Sequence, residues 1–137
     1  MTATPRAVEL AVAAAEAAAE KLAEDIVAID VSDQLVITDV FVLCSAPNDR
    51  QVGAIVDEVE ERLRHLGAKP VRREGEGHNR WVLLDFVEIV VHVQLSEERV
   101  HYALERLWKD CPFLELPEHV RAPRSRHDED ARRGSGG

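Results

Sequence analysis

The feature that most constrains this chain is the stretch at residues 48–67. Its apolar positions, Val52, Ile55, Val56, Val59, Leu63 and Leu66, recur at steps of three and four, which places them on one stripe of a helix. Asn48 or Asp49 stands where an N-terminal cap belongs, and Gly67 stands where a helix turns left-handed as it ends. A helix with one apolar stripe has to bury it against a second layer. The neighbouring sequence supplies that layer. Residues 25–31 and 40–45 are continuous apolar runs, the pattern of strands covered on both faces, with Ile37-Thr38-Asp39 leading into the second.

The remaining elements follow from local chemistry. Thr4-Pro5 opens a helix, because Thr caps and Pro suits the first helical position. That helix runs to Leu22, is dominated by Ala, and carries Val8, Val12, Ala15, Ala19 and Leu22 along one stripe. So thin an apolar face predicts a helix that leans on the domain and is not central to it. A short strand is expected at 69–72, a loop by composition at 74–79, and two strands at 80–86 and 88–95, close enough to form a hairpin. Ser96 caps a last helix, with Glu97 and Glu98 complementing its dipole, that ends near Asp110-Cys111-Pro112. The order helix, strand, strand, helix, three strands, helix predicts an α/β (α+β) domain: a mixed sheet of about five strands flanked by helices.

Size and charge narrow the function. A chain of 137 residues fits one domain with a single core. That domain is expected at 1–116, and residues 117–137, rich in Pro, Arg, Asp, Glu, Gly and Ser without an apolar period, read as a disordered tail. The net charge of −9, from 26 acids against 17 Lys and Arg, opposes extensive contact with nucleic acid, since neutralising phosphates needs clustered bases. It favours a basic protein partner. No apolar run approaches the roughly 20 residues that span a bilayer, and the Ala-rich start lacks the basic and apolar regions of a secretory signal. A cytoplasmic protein without membrane contact is expected, with Cys44 and Cys111 as free thiols.

Several blocks, taken together, resemble a known family. They are residues 24–31 (EDIVAIDV), 37–42 (ITDVFV), 50–60 (RQVGAIVDEVE), 80–85 (RWVLLD) with 90–93 (VVHV), and 104–108 (LERLW). In this order and spacing they are similar to the ribosomal silencing factor (Iojap) family, over roughly residues 5–112. The resemblance implies a fold like the nucleotidyltransferase superfamily without its catalysis. It implies binding to the large ribosomal subunit through its protein fourteen, on the face that meets the small subunit. Subunit joining is then blocked and translation lowered when nutrients are scarce. It also implies a homodimer when free. Two aromatics mark the family's ribosomal-protein contact, and Trp81 and Tyr102 match them here. The family's hairpin turn, Asp-Tyr-Gly-Asp, is replaced by Asp85-Phe86-Val87-Glu88, and Val suits poorly a tight turn that wants positive φ. Pro47 stands where the family commonly has Ser or Thr, and the sequence beyond Leu116 has no counterpart in the pattern.

The partner-binding candidates are Trp81 and Tyr102, with Arg80, His92 and Glu105 beside them. Each also has a plainer reading. Trp81 on its strand is either core or an interface anchor, a role for which Trp is enriched. A two-residue loop at Phe86-Val87 would set Asp85 opposite Glu88, Leu83 opposite Val90 and Trp81 opposite His92, all on one sheet face. Tyr102 lies off the apolar stripe of Val100, Ala103, Leu104 and Leu107, which makes it an anchor for a basic partner or an ordinary surface Tyr. His92, inside an apolar strand, reads as a satisfied core histidine before it reads as a contact. No catalytic residue, metal site or cofactor is expected. The histidines lack paired ligand spacing, and no Gly-rich phosphate loop opens a helix. The alternative is a nucleotidyltransferase-fold nucleotide-binding enzyme, which would need carboxylates converging on two metal ions.

Overall fold

The computed structural model describes residues 2–35, 37–75, 77, 80–97 and 110–121. Helix α1 (Pro5–Glu20) leads into strands β1 (Glu24–Asp30) and β2 (Val40–Ala46), then helix α2 (Asp49–His65). Strands β3 (Arg72–Glu74), β4 (Trp81–Asp85) and β5 (Ile89–Leu95) follow, and a helical turn, α3 (Glu118–Arg121), closes the described chain. The strands form one sheet in the order β1-β2-β5-β4-β3. Only β2 and β5 are parallel, and the other neighbours are antiparallel. The expected mixed five-stranded sheet is borne out.

Helix α2 forms as its stripe requires. Asn48 caps it by accepting a hydrogen bond from Gln51 N–H at 2.8 Å, and Arg62, Arg64 and His65 sit in the last turn, where positive charge suits the dipole. Gly67, at φ +84°, takes the left-handed position after Leu66. Val52, Ile55, Val56, Val59 and Leu63 are buried, each adding about 1.5–3 kcal/mol of apolar burial.

Helix α1 corrects two expectations. Thr4 does cap it, accepting from Ala7 N–H at 3.1 Å, but the helix ends at Glu20 and Leu22 lies beyond it at positive φ. Its buried residues, Ala7, Leu10, Ala11, Ala13, Ala14, Ala15, Ala17 and Ala18, spread over more than one stripe; of the expected stripe Ala15 is buried, Val12 and Ala19 pack against the core and Val8 is half-buried. Nor is it peripheral, since it packs on α2, β1, β2, β5 and α3. With so many alanines, side-chain size marks no face, and the small methyls let neighbouring elements come close on several sides. The ion pair of Arg62 with Glu20, and bonds from Gln51 Nε2 to the Lys21 and Leu22 carbonyls, strap α1 and the turn after it to α2, while Glu58 pairs with Arg62 within α2.

The helices described occupy one face of the sheet. Val40, Val42, Cys44, Val82, Leu84, Ile89, Val91 and Val93 point into that main core, together with Phe86 from the turn. Ile29, Val31, Leu43 and Cys111 form a smaller cluster on the other side. The free edge of β1 is occupied by the chain near its described end. Asp30 N–H donates to the Pro112 carbonyl and Leu114 N–H to the Ala28 carbonyl, both at 2.8 Å, flanking a bridge between Ile29 and Phe113. The chain stays ordered past the expected boundary at 116. Val120 of α3 is buried in the main core, and His119 lies 3.5 Å from Glu16 of α1. The apolar Leu116 and Val120 are too sparse to show a period, yet they suffice to dock the turn. Residues 122–137 of the expected tail lie outside those described.

Two acids fasten the start of the chain. Asp30 accepts hydrogen bonds from Ala3 N–H at 2.9 Å and from Ser32 N–H and Oγ at 3.0 and 2.6 Å, and Asp39 accepts from Thr4 N–H at 2.9 Å. Burial alone would raise the Asp30 pKa. The donated hydrogen bonds, that of the Ser32 hydroxyl foremost, outweigh burial and hold it below the usual carboxylate range.

Both cysteines are buried thiols outside any disulfide. Cys44 sits in the main core and Cys111 in the smaller cluster, on opposite sides of the sheet. Burial and then the neighbouring Asp110, Asp30 and Asp33 push the Cys111 thiol up.

Candidate functional site: the sheet face around Trp81

On the face away from α1 and α2, strand alternation sets side chains in three rows across the sheet. Ser45, Gln94 and Trp81 form the first, Leu43, His92, Leu83 and Glu74 the second, and Phe41, Val90, Asp85 and Arg72 the third. Trp81 and Leu83 are half-buried, while Ser45, His92 and Gln94 are buried. The face is therefore apolar and aromatic toward β4, with polar groups set deep on β5.

The hairpin register departs from the expected one by two residues. Trp81 pairs with Gln94, Leu83 with His92 and Asp85 with Val90. The cause is Phe86. It is buried in the main core and its N–H donates to the Ile89 carbonyl at 2.9 Å, so it belongs to the ladder and not to the loop. The turn is instead Val87-Glu88, with Val87 at φ +76°. A shift of two keeps every side chain on its expected face, and Trp81 still meets His92 as a diagonal neighbour. Their ring centroids are 5.8 Å apart with planes tilted by 35°.

A second element fixes Trp81 from the other side. β3 is also displaced from the expected 69–72 to Arg72–Glu74, because Pro70 has no N–H for a ladder and pairing with β4 starts only at Val71, whose N–H donates to the Asp85 carbonyl. Gly75 follows at φ +86°. A Cβ there would stand 2.1 Å from the Trp81 carbonyl oxygen and 2.9 Å from ring atom Cε3. The backbone at Gly75 thus rests directly on Trp81, and the indole is flanked by that backbone and by His92. The sequence marked Gly75 only as loop by composition, and nothing in it signals so close an approach.

Of the expected partner-binding residues, Trp81 and His92 are brought together. Arg80 adjoins them, exposed, its carbonyl accepting from Leu95 N–H at 2.8 Å and its guanidinium 3.8 Å from Glu97. Tyr102 and Glu105 lie outside the described residues, as does most of the expected last helix, of which Ser96 and Glu97 are seen as helical. Leu83 and Gln94 were not singled out in the sequence, although alternation from Trp81 and His92 points to both. Elsewhere, a notch of about 560 Å³ beside α2 is lined by Glu60, Glu61, Arg64, Lys69 and Arg73 among others. Its charges pair with one another, Arg73 with Glu60 and Arg64 with Glu61, so they do not converge on a common point.

Comparison with known proteins settles the relationship. The family model described as ribosomal silencing factor during starvation matches residues 4–136. The chain belongs to the ribosomal silencing factor family. It is 40% identical over 103 residues to the ribosomal silencing factor RsfS of Bacillus subtilis, covering 75% of this chain and 87% of that one. A mouse protein, mitochondrial assembly of ribosomal large subunit protein 1, is 35% identical over 63% of this chain and 39% of its own length. A crystal structure from Bacillus halodurans superposes with a TM-score of 0.69 at 35% identity, over 82% of this chain and all of that one. The family match runs to residue 136, so the silencing-factor pattern extends past 112, where the sequence resemblance was expected to stop. Among the described residues no helix of this family member is long and apolar enough to cross a membrane.

Proposed function

We propose that this silencing factor is a binding protein and not an enzyme, and that it docks on the large ribosomal subunit through the sheet face around Trp81. The observation that carries this reading is the placement of Trp81. It is half-buried, flanked by His92 and the Gly75 backbone, and leaves part of a large aromatic surface for a partner. A preorganised aromatic loses little side-chain freedom on binding, which is the property of an interface hot spot. The partner is a basic protein of the subunit, protein fourteen, in keeping with a net charge of −9. Tyr102 and Glu105 join the contact from the last helix, and Arg80 lies at its rim.

The mechanism is steric. A domain seated on the joining face of the large subunit fills space the small subunit needs, so translation falls without any turnover by the factor. The protein works in the cytoplasm, needs no cofactor or metal, and forms a homodimer when free.

Co-sedimentation with purified large subunits tests the contact. Wild type should pellet, and Trp81→Ala and Tyr102→Ala, each first shown to fold, should stay in the supernatant. Folded variants that pellet like wild type would remove Trp81 and Tyr102 from the interface. A purified chain that binds nucleotide or divalent metal and not the subunit would replace this reading with that of a nucleotide-binding enzyme.

A further inference from the structure

The Val87-Glu88 turn holds a residue the fold does not favour. Glu88 N–H donates to the Phe86 carbonyl at 3.0 Å, closing a three-residue turn with Val87 at its centre at φ +76°. This is the rare and strained form of such a turn, and a β-branched residue is among the worst suited to it. Glycine would relieve the strain. The core does not compensate, because Val87 is 51% exposed. The Asp85 carboxylate supports the turn by accepting from Val87 N–H at 2.9 Å, but the Val87 side chain itself stays half in solvent.

Two further exposed aliphatics lie at the same end of the sheet. Ile37 is 77% exposed and Val71 67%. Backbone hydrogen bonds stitch their loops to the turn: Asp39 N–H donates to the Glu88 carbonyl at 3.0 Å, and Val71 N–H to the Asp85 carbonyl at 2.7 Å. Asp39, Asp85 and Glu88 belong to the same loops and turn, and among the described residues Arg72 approaches Asp85 at 3.9 Å.

We propose that Ile37, Val71 and Val87 form a second docking surface, whose occupant is a positively charged protein surface carrying apolar side chains. The acids decide the occupant. A second copy of this chain would set the same carboxylates against one another, and nucleic acid would bring phosphates to them, both repulsive. The surface rests on the proposed docking to the large subunit and extends it. Trp81 and Asp85 end the same five-residue strand, so the two contact points lie about 13 Å apart along it. One interface of ordinary size, about 800 Å² per partner, spans both.

The test uses the full chain, with Val87→Gly and Ile37→Ser compared with Trp81→Ala in melting and in titration against purified large subunits. Val87→Gly should melt about 2–8 °C higher than wild type, by relief of strain, and yet bind about threefold to tenfold more weakly. Ile37→Ser should melt as wild type does and bind more weakly by a similar factor. Higher stability with weaker binding in one variant is a combination that a purely structural residue does not give. If Val87→Gly and Ile37→Ser bind like wild type while Trp81→Ala does not, this surface is overturned and the proposed function stands. A Val87→Gly variant that melts lower overturns the strain argument on which the surface rests. If wild type itself fails to bind, both readings fall.

Discussion

Replacing Gly75 by Ala isolates the support beneath Trp81. Two terms set the magnitude. At φ +86° a side chain costs about 1–2 kcal/mol, partly offset by about 0.4–1 kcal/mol because Ala restricts the unfolded chain. The second term is steric. The new Cβ would stand 2.1 Å from the Trp81 carbonyl oxygen, whereas even close C···O approaches are about 3.3–3.6 Å. That oxygen is backbone and cannot rotate away, so the loop must move by about 1 Å or the end of β3 must detach. β3 is short and exposed, which caps the loss. The net expectation is destabilisation of about 1–3 kcal/mol and a melting temperature about 3–15 °C lower. Gly77 is the control, since a Cβ there meets nothing within 4 Å, and Gly77→Ala should change stability by less than about 0.5 kcal/mol. Thermal melts measure the first effect. In a Trp108→Phe background, emission of the remaining Trp81 measures the second: it should shift to the red in Gly75→Ala as the indole gains water. If Gly75→Ala and Gly77→Ala match in both melting and emission, the loop does not hold Trp81 and the preorganisation argument fails.

Other expectations follow from the fold. Ala14→Leu should cost about 1–3 kcal/mol in urea unfolding, because it pushes extra methylenes into the fully buried strip of α1. A variant near wild type would return α1 to a peripheral role. Asp30→Asn should cost about 1–2 kcal/mol at neutral pH, since its amide sets a donor against the Ala3 N–H. Because the folded pKa of Asp30 is lowered, its contribution is present above the unfolded value of about 4 and is lost as pH falls through the folded one. The gap between wild type and Asp30→Asn should therefore close in acid, and a gap independent of pH would assign the effect to something other than the carboxylate. Cys44 and Cys111 should resist a thiol reagent in the native protein and both react in urea, and oxidation should yield no bond between them. Rapid native labelling of Cys111 would contradict its burial.

What was legible in the sequence depended on contrast between residue types. α2 was read almost to the residue, because large apolar and charged side chains alternate sharply along it. α1 was read as peripheral because alanine is the same on every side: the expected stripe does meet the core through Val12, Ala15 and Ala19, but Leu10 and the alanines beside it bury further faces, and Leu22 is exposed beyond the helix end. The sheet and its mixed character followed from apolar runs, but the hairpin register did not. It turned on whether Phe86 lies in the loop or in the core, and hydrophobicity alone cannot separate the two before the long-range packing is known. Alternation put Trp81 and His92 on one face correctly. The approach of Gly75 to Trp81 stayed hidden, because close backbone contact between loop and strand leaves no local pattern.

The proposed mechanism is steric exclusion at the subunit joining face. Its most direct test is to add the purified protein to separated large and small subunits under joining conditions and to resolve the products on a sucrose gradient. The account predicts fewer joined ribosomes as protein is added, with the protein migrating with free large subunits and Trp81→Ala restoring joining. Undiminished joining with the protein bound to the large subunit would contradict it.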